Sequence, residues 1–297
     1  MGATSLDPLT ANFKIVKISV FPDLLQATAL IRKMRGSSHP VLVECNDNNL
    51  YVVKFQNNPQ HIRILANEML GGRLARLLGL PVPQGKCISV SSKLIKFSFP
   101  SALDTEGLSV PYVPGLQFGT RYPGEPGQVL VMDFLPSEYS SHIWNPESLL
   151  GALVFDKWTC HSRDRQMIFF RASRDYGEPF EVQMIDQGSC FNSAEWSFFN
   201  GIDQGLYPRR EVYAAVHGLE SFEPFLSAVE NLGSSDLEAC ARDVPEEWYE
   251  GDKSKLDHLM EKLYLRRNKV RQAILDTRKG SQTVFPNWVL QVRTTGV

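Results

Sequence analysis

Four side chains in this 297-residue sequence have the type and the setting to handle a phosphate group. Lys54 stands in Leu50-Tyr51-Val52-Val53-Lys54-Phe55, a run of aromatic and β-branched residues that reads as a strand. An ammonium fixed on a strand can grip phosphate oxygens; on an edge strand it would simply face water. Glu68 lies on the next periodic segment, where a carboxylate can hold that ammonium in place or stay solvated. Asp186 closes the apolar run Val182 to Ile185, with Gly188 two residues on. A carboxylate at a strand end beside pliant backbone can bind a divalent cation, and Mg2+ takes carboxylate, phosphate and water oxygens readily. Asp-x-Gly is also an ordinary turn. Asp164 lies in the polar loop His161-Ser162-Arg163-Asp164-Arg165-Gln166, where it can accept a hydroxyl proton or remain a solvated charge. His161 is a second candidate there, or a loop hydrogen-bonding residue.

These are the parts that phosphoryl transfer requires, because its transition state asks mainly for positioning and charge neutralisation. A phosphate-cradling loop is offered by Gly36-Ser37-Ser38-His39, where glycine lets successive N–H groups approach an anion. By itself Gly-Ser-Ser is also a common turn.

The elements that must position these groups follow from periodicity. Phe13 to Val20 alternates as a strand, and Leu24 to Met34 carries apolar residues at helical spacing after Pro22-Asp23. Val41–Cys45 and Leu50–Phe55 form a hairpin around Asn46-Asp47-Asn48-Asn49. His61 to Leu78 is a helix stopped by Gly79, and Cys87–Val90 and Leu94–Phe97 read as strands. Residues 99–127, rich in Pro, Gly and Ser, form a long surface excursion, and Gln128 to Phe134 is a buried strand. Beyond it the pattern is mainly helical: Leu149–Trp158, Pro208–His217, Phe222–Asn231, Ser235–Arg242 and Lys253–Asp276. Two short strands, Met167–Arg171 and Pro179–Ile185, interrupt it. Strands early and helices late indicate an α+β chain. Its divisions are a tail over residues 1–12, a β-rich lobe over 13–135, a helical lobe over 136–280 and a tail over 281–297.

Composition narrows the setting. Hydrophobic residues make up 43% and charged residues 22%, enough to fill a core. A formal net charge of −2 gives no bulk attraction to nucleic acid or a membrane surface. No apolar run approaches a spanning length, and residues 1–12 lack a leader's apolar stretch. Five scattered cysteines without C-x-x-C spacing argue against disulfides or zinc and for a reducing cytoplasm.

The chain resembles the HipA-like kinase family, particularly its short single-chain bacterial branch, from about Pro22 to Ile274. The resemblance rests on Gly36-Ser37-Ser38-His39-Pro40, Tyr51 to Phe55, Asn67-Glu68 through Pro83, Val131-Met132-Asp133-Phe134, Phe155-Asp156-Lys157-Trp158 and Met184 to Gly188. It implies a two-lobed protein-kinase-like fold that binds ATP and Mg2+ and transfers phosphate to Ser or Thr. By position, Lys54 would bind phosphate, Asp186 metal, and Met132, Asp133, Phe134 and Leu135 would form the hinge that meets adenine. The sequence departs from the family at the catalytic loop. His161 replaces the leading Asn, the Asp is displaced to Asp164, and Gln166 is the only amide near a second metal position. Two further readings therefore stand beside a Ser/Thr protein kinase: a nucleotide-binding pseudokinase that acts through a protein partner, and a kinase of a lipid or small molecule.

Overall fold

The computed structural model describes residues 24–98, 103–105, 108–139, 142–172, 177–199, 201–281 and 283–289. The expected strand at 13–20 and both tails except residues 281 and 283–289 lie outside these residues. Five strands close a barrel: β1 (Leu25–Lys33), β2 (Val41–Cys45), β3 (Leu50–Lys54), β4 (Gly85–Val90) and β7 (Gly115–Arg121). Their order is β1-β2-β3-β7-β4, and β1 closes the ring by pairing with β4 in parallel through Leu25–Ile88 and Gln26–Ser89. Helix α1 (Arg63–Leu77) follows β3, and a short helix α2 (Ser92–Ser98) follows β4. Strands β5 (Leu103–Thr105) and β6 (Leu108–Val110) make a separate hairpin.

A second sheet, ordered β10-β9-β8, joins β8 (Val129–Met132), β9 (Gln166–Ala172) and β10 (Glu181–Ile185). Helix α3 (Glu147–Thr159) is buried on nearly every face, as its apolar run Leu149–Phe155 requires. Against it lie α4 (Phe225–Glu230), α6 (Lys253–Arg266) and α7 (Val270–Gly280), while α5 (Ser234–Ala241) packs on α6 and α1. The barrel holds its own cluster of Val41, Val43, Tyr51, Val53, Phe55, Ile88 and Val90. A larger core runs from α1 through α3 to α7. Among the described residues no helix is long and apolar enough to cross a membrane.

Several local readings are corrected. Residues 25–33 are a strand, not a helix: their apolar spacing fits either, and pairing with both β2 and β4 decides. Leu94–Phe97 is helical, because the Ser91 hydroxyl accepts the Leu94 N–H at 3.1 Å and starts the turn of α2. The excursion at 99–127 contains β7, a strand between β3 and β4. Its Gly119 looks like loop composition but is a close approach: a Cβ there would lie 2.3 Å from Ile88 Cδ1 and 3.2 Å from Val53 Cγ2. The strand at 129–132 is only partly buried. Pro208–His217 contributes one 3-10 turn, Arg210–Tyr213. Lys253–Asp276 breaks at Arg267–Lys269. There Arg266 donates to the carbonyls of Lys157 and Trp158, and α7 packs on α3 separately from α6.

Candidate functional site

Lys54 ends β3 and turns inward. Its Nζ contacts both Glu68 Oε1, from α1, and Asp186 Oδ1, from the turn after β10. Lys54 is 9% exposed and Glu68 4%, so the pair is held away from water. Burial alone would weaken the ammonium, but Asp186 and then Glu68 keep it protonated, above the ordinary lysine range. Burial likewise opposes the charge on Asp186, yet Lys54 holds that carboxyl well below its usual range. Burial pushes Glu68 up against the pull of Lys54.

Glu68 organises more than the lysine. Its Oε2 accepts the Gln187 N–H at 3.1 Å and its Oε1 accepts the Gly188 N–H at 2.9 Å. The turn that carries Asp186 is thus bound to α1. Gly188 is required there: a Cβ would come within 2.6 Å of Ile64 Cγ2 and 3.1 Å of Glu68 Oε1. Asp186 itself has φ +61°, an uncommon conformation outside glycine. Its neighbours hold that backbone in place. Arg165 Nη1 donates to the Ile185 carbonyl at 2.7 Å and to Gln187 Oε1 at 2.9 Å. The Asp186 carbonyl lies 3.2 Å from His161 Nε2.

Asn67, wholly buried beside Glu68, extends this tie. Its Nδ2 donates to the carbonyls of Gly188, Cys190 and Ser193, and its Oδ1 accepts the Trp196 indole N–H at 2.7 Å. Phe191, Asn192 and Ser193 all have positive φ; Asn67 bonds the Ser193 carbonyl, the Ser197 N–H donates to that of Phe191, and the Asn192 N–H donates to that of Cys160.

A cleft of about 410 Å³ opens on the Lys54 cluster. It brings together Gly36, Ser37, Ser38, Lys54, Glu68, Asp133, Gln166 and Asp186 from the sequence candidates. Val52 and Ile168 supply apolar walls. The glycine loop folds over it, with Met34 N–H donating to Pro40 C=O at 2.8 Å. Ser37 Oγ accepts from Gln60 Nε2 at 2.9 Å and from Arg163 Nη1 at 3.1 Å. Asp186 Oδ2 has no protein partner among the described residues, and Asp186 and Gln166 both line the cleft. That oxygen-rich, open-sided arrangement fits a hydrated divalent cation.

Other candidates are placed differently. Asp164 is exposed and does not line the cleft, whereas Arg163 beside it reaches the glycine loop. His161 is buried, its Nδ1 2.9 Å from the Arg163 carbonyl and its Nε2 near that of Asp186. Burial and then Arg165 push its pKa below the ordinary range, and a neutral ring has a single N–H for those two carbonyls. The chain crosses from the barrel to the second sheet over residues 122–128, ahead of the expected hinge. Tyr122 and Pro123 line the cleft with Asp133. Met132 ends β8, Leu135 is buried, and Phe134 lies under the Arg209 guanidinium at 3.7 Å.

Residue-type reasoning passed over Arg165, which is 1% exposed. It forms a two-point ion pair with Asp156 of α3, and that carboxylate raises its pKa against the effect of burial. The available signal was Asp156 directly after the apolar run Leu149–Phe155, since a buried charge needs a partner.

A family model described as HipA-like kinase matches residues 28–276. No curated protein sequence matches the chain significantly. Solved structures similar to it include the Helicobacter pylori proinflammatory kinase CtkA, at 13% identity and TM-score 0.46, covering 82% of this chain and 98% of that one. A Golgi casein kinase with Mn/ADP bound is similar at 13% identity and TM-score 0.47, covering 87% and 73%. HipA of the Shewanella oneidensis MR-1 toxin–antitoxin system is similar at 13% identity and TM-score 0.42, covering 85% and 68%.

Proposed function

Because this chain belongs to the HipA-like kinase family, we propose that it is an ATP- and Mg2+-dependent phosphotransferase acting on a serine or threonine hydroxyl. The proposal includes a two-lobed kinase-like arrangement, with the nucleotide between the barrel and the part of the chain that begins with β8. The observation that carries it is the buried Lys54, which joins Glu68 and Asp186 in the wall of the cleft. In this reading Lys54 neutralises phosphate charge, and Glu68 fixes the lysine and the Asp186 turn together. Asp186, with Gln166 nearby, holds Mg2+, which when bound supplies further charge neutralisation at the phosphates. The Gly36–Ser38 loop covers the phosphates. The base lies between Val52 and Ile168, and backbone around Tyr122–Pro123 or Met132–Leu135 meets its edge. The acceptor hydroxyl needs a proton acceptor, and Asp164 is the loop carboxylate nearest to that task in sequence.

One observation favours a second reading, a nucleotide-binding pseudokinase acting through a protein partner. Asp164 lies outside the cleft lining, and Arg163 occupies the approach to Ser37. The two readings separate in one experiment. Purified protein is incubated with labelled ATP and Mg2+, and phosphate on protein is located by mass spectrometry, with Lys54→Ala as control. Phosphoserine or phosphothreonine in the parent alone supports the first reading. Calorimetric ATP binding without transfer supports the second, and absence of binding overturns both.

A further inference from the structure

A second cavity of about 470 Å³ adjoins the cleft, sharing Glu68, Phe118, Thr120 and Asp186 with it and extending along α1. Helix α1 forms one wall with Gly72, Arg73 and Arg76, and Cys87, Phe118 and Met184 supply apolar surface opposite. Two independent features of this cavity point to a ligand.

The first is Gly72. Glycine inside a helix costs about 1 kcal/mol relative to alanine, and is usually kept there because something packs against it. Nothing lies within 4 Å of where a Cβ at residue 72 would stand, although the residue is buried. The space it leaves is the cavity itself. Its neighbour Gly71 differs: a Cβ there would strike Gln187 Cβ at 2.7 Å.

The second is the arginine pair. Arg73 Nη1 donates to the carbonyls of Cys240 and Arg242, and Arg76 Nη2 donates to that of Pro83 at 2.6 Å. Neither guanidinium has a carboxylate partner among the described residues. Burial and then the charge of Arg73 lower the pKa of Arg76. Lys86 and Asp243, which also line the cavity, offset each other in charge, while Glu68 and Asp186 are engaged by Lys54. Charges balance over the lining as a whole, but two guanidiniums without a carboxylate partner stand together at a partly apolar cavity, a setting that suits a ligand with an apolar body and an anionic group.

We propose that this cavity binds a small molecule with a flat apolar body and one anionic group, the anion on Arg73 and Arg76 and the body in the space left by Gly72. Helix α1 carries both this wall and Glu68, so occupancy braces the helix that fixes Lys54 and the Asp186 turn. Binding here therefore tightens nucleotide binding in the main cleft, and the coupling is reciprocal. The coupling rests on the nucleotide-binding reading above; the existence of the site does not.

The probe is 8-anilinonaphthalene-1-sulfonate, which combines an aromatic body with an anion and reports its environment by fluorescence. It is titrated into the full chain under conditions where the chain melts cooperatively. Saturable binding at one site is expected in the parent. Gly72→Leu, whose Cβ would meet nothing within 4 Å and whose side chain would occupy the cavity, should weaken binding at least tenfold. Arg76→Ala, a milder change on the outer part of the helix, should weaken it several-fold and reduce its salt dependence. Unsaturable binding in the parent, or unchanged affinity in a folded Gly72→Leu or in Arg76→Ala, overturns the site. Equal ATP affinity with and without saturating probe overturns the coupling. If the parent binds the probe as expected but not ATP, the nucleotide reading fails and the site stands.

Discussion

Replacing Glu68 with Gln tests the centre of the site while keeping its shape. Three donors converge on this carboxylate: Lys54 Nζ and the Gly188 N–H on Oε1, and the Gln187 N–H on Oε2. An amide has one acceptor oxygen, so its NH2 must face at least one of them. The least costly placement turns the oxygen toward Lys54 and Gly188 and the NH2 toward the Gln187 N–H. Losing that hydrogen bond to a charged acceptor removes about 1.5–3 kcal/mol, and leaving the buried N–H unpaired costs about 1–3 kcal/mol more. Discharging a buried carboxylate returns part of this, so a net loss of about 3 kcal/mol is expected. For a chain of this size, at the low end of about 2–4 °C per kcal/mol, the melting temperature should fall by about 6–9 °C. Lys54 would keep Asp186 as its charged partner but have only a neutral hydrogen bond to α1, and affinity for ATP with Mg2+ should fall by about tenfold, equivalent to about 1.4 kcal/mol. Calorimetric melting and titration measure the two effects separately. A Glu68→Gln protein that melts within a degree of the parent would refute the reasoning, because it would mean that the three donors do not depend on this carboxylate.

Asp186→Asn should leave the fold intact but abolish most of the Mg2+ enhancement of nucleotide binding; equal enhancement in calorimetry would reduce Asp186 to a turn residue. If Asp164 takes the acceptor proton, Asp164→Ala should slow transfer by about 10²–10⁴-fold with little change in ATP affinity, whereas an unchanged rate would place the base elsewhere. Arg163→Ala frees Ser37 from one of its two donors, and amide exchange over residues 34–40 should quicken; unchanged protection would mean that the contact does not restrain the loop. Asn67→Ala removes four hydrogen bonds from the segment after Asp186 and should destabilise the chain by about 2–4 kcal/mol, with exchange rising over residues 188–196; a stability loss under about 1 kcal/mol would contradict its proposed role.

The elements around Lys54 were legible in the sequence because their signals are local. Alternating β-branched residues around an Asn-rich turn specify β2 and β3, and the apolar spacing from Ile64 to Leu74 specifies α1. Asp186 at the end of an apolar run before a glycine was visible for the same reason. Tertiary structure decided what these residues do to one another. Lys54 and Asp186 are 132 positions apart, and no local pattern encodes their contact. Strand β1 has helix-compatible spacing and became a strand through its partners β2 and β4. Strand β7 reads as a loop until the crowding at Gly119 explains its glycine. In the loop after α3, composition offers Asp164 and Arg165 as equivalent charges. Packing buries Arg165 against Asp156 and leaves Asp164 in solvent, because a charge can enter the core only where a counter-charge already waits for it.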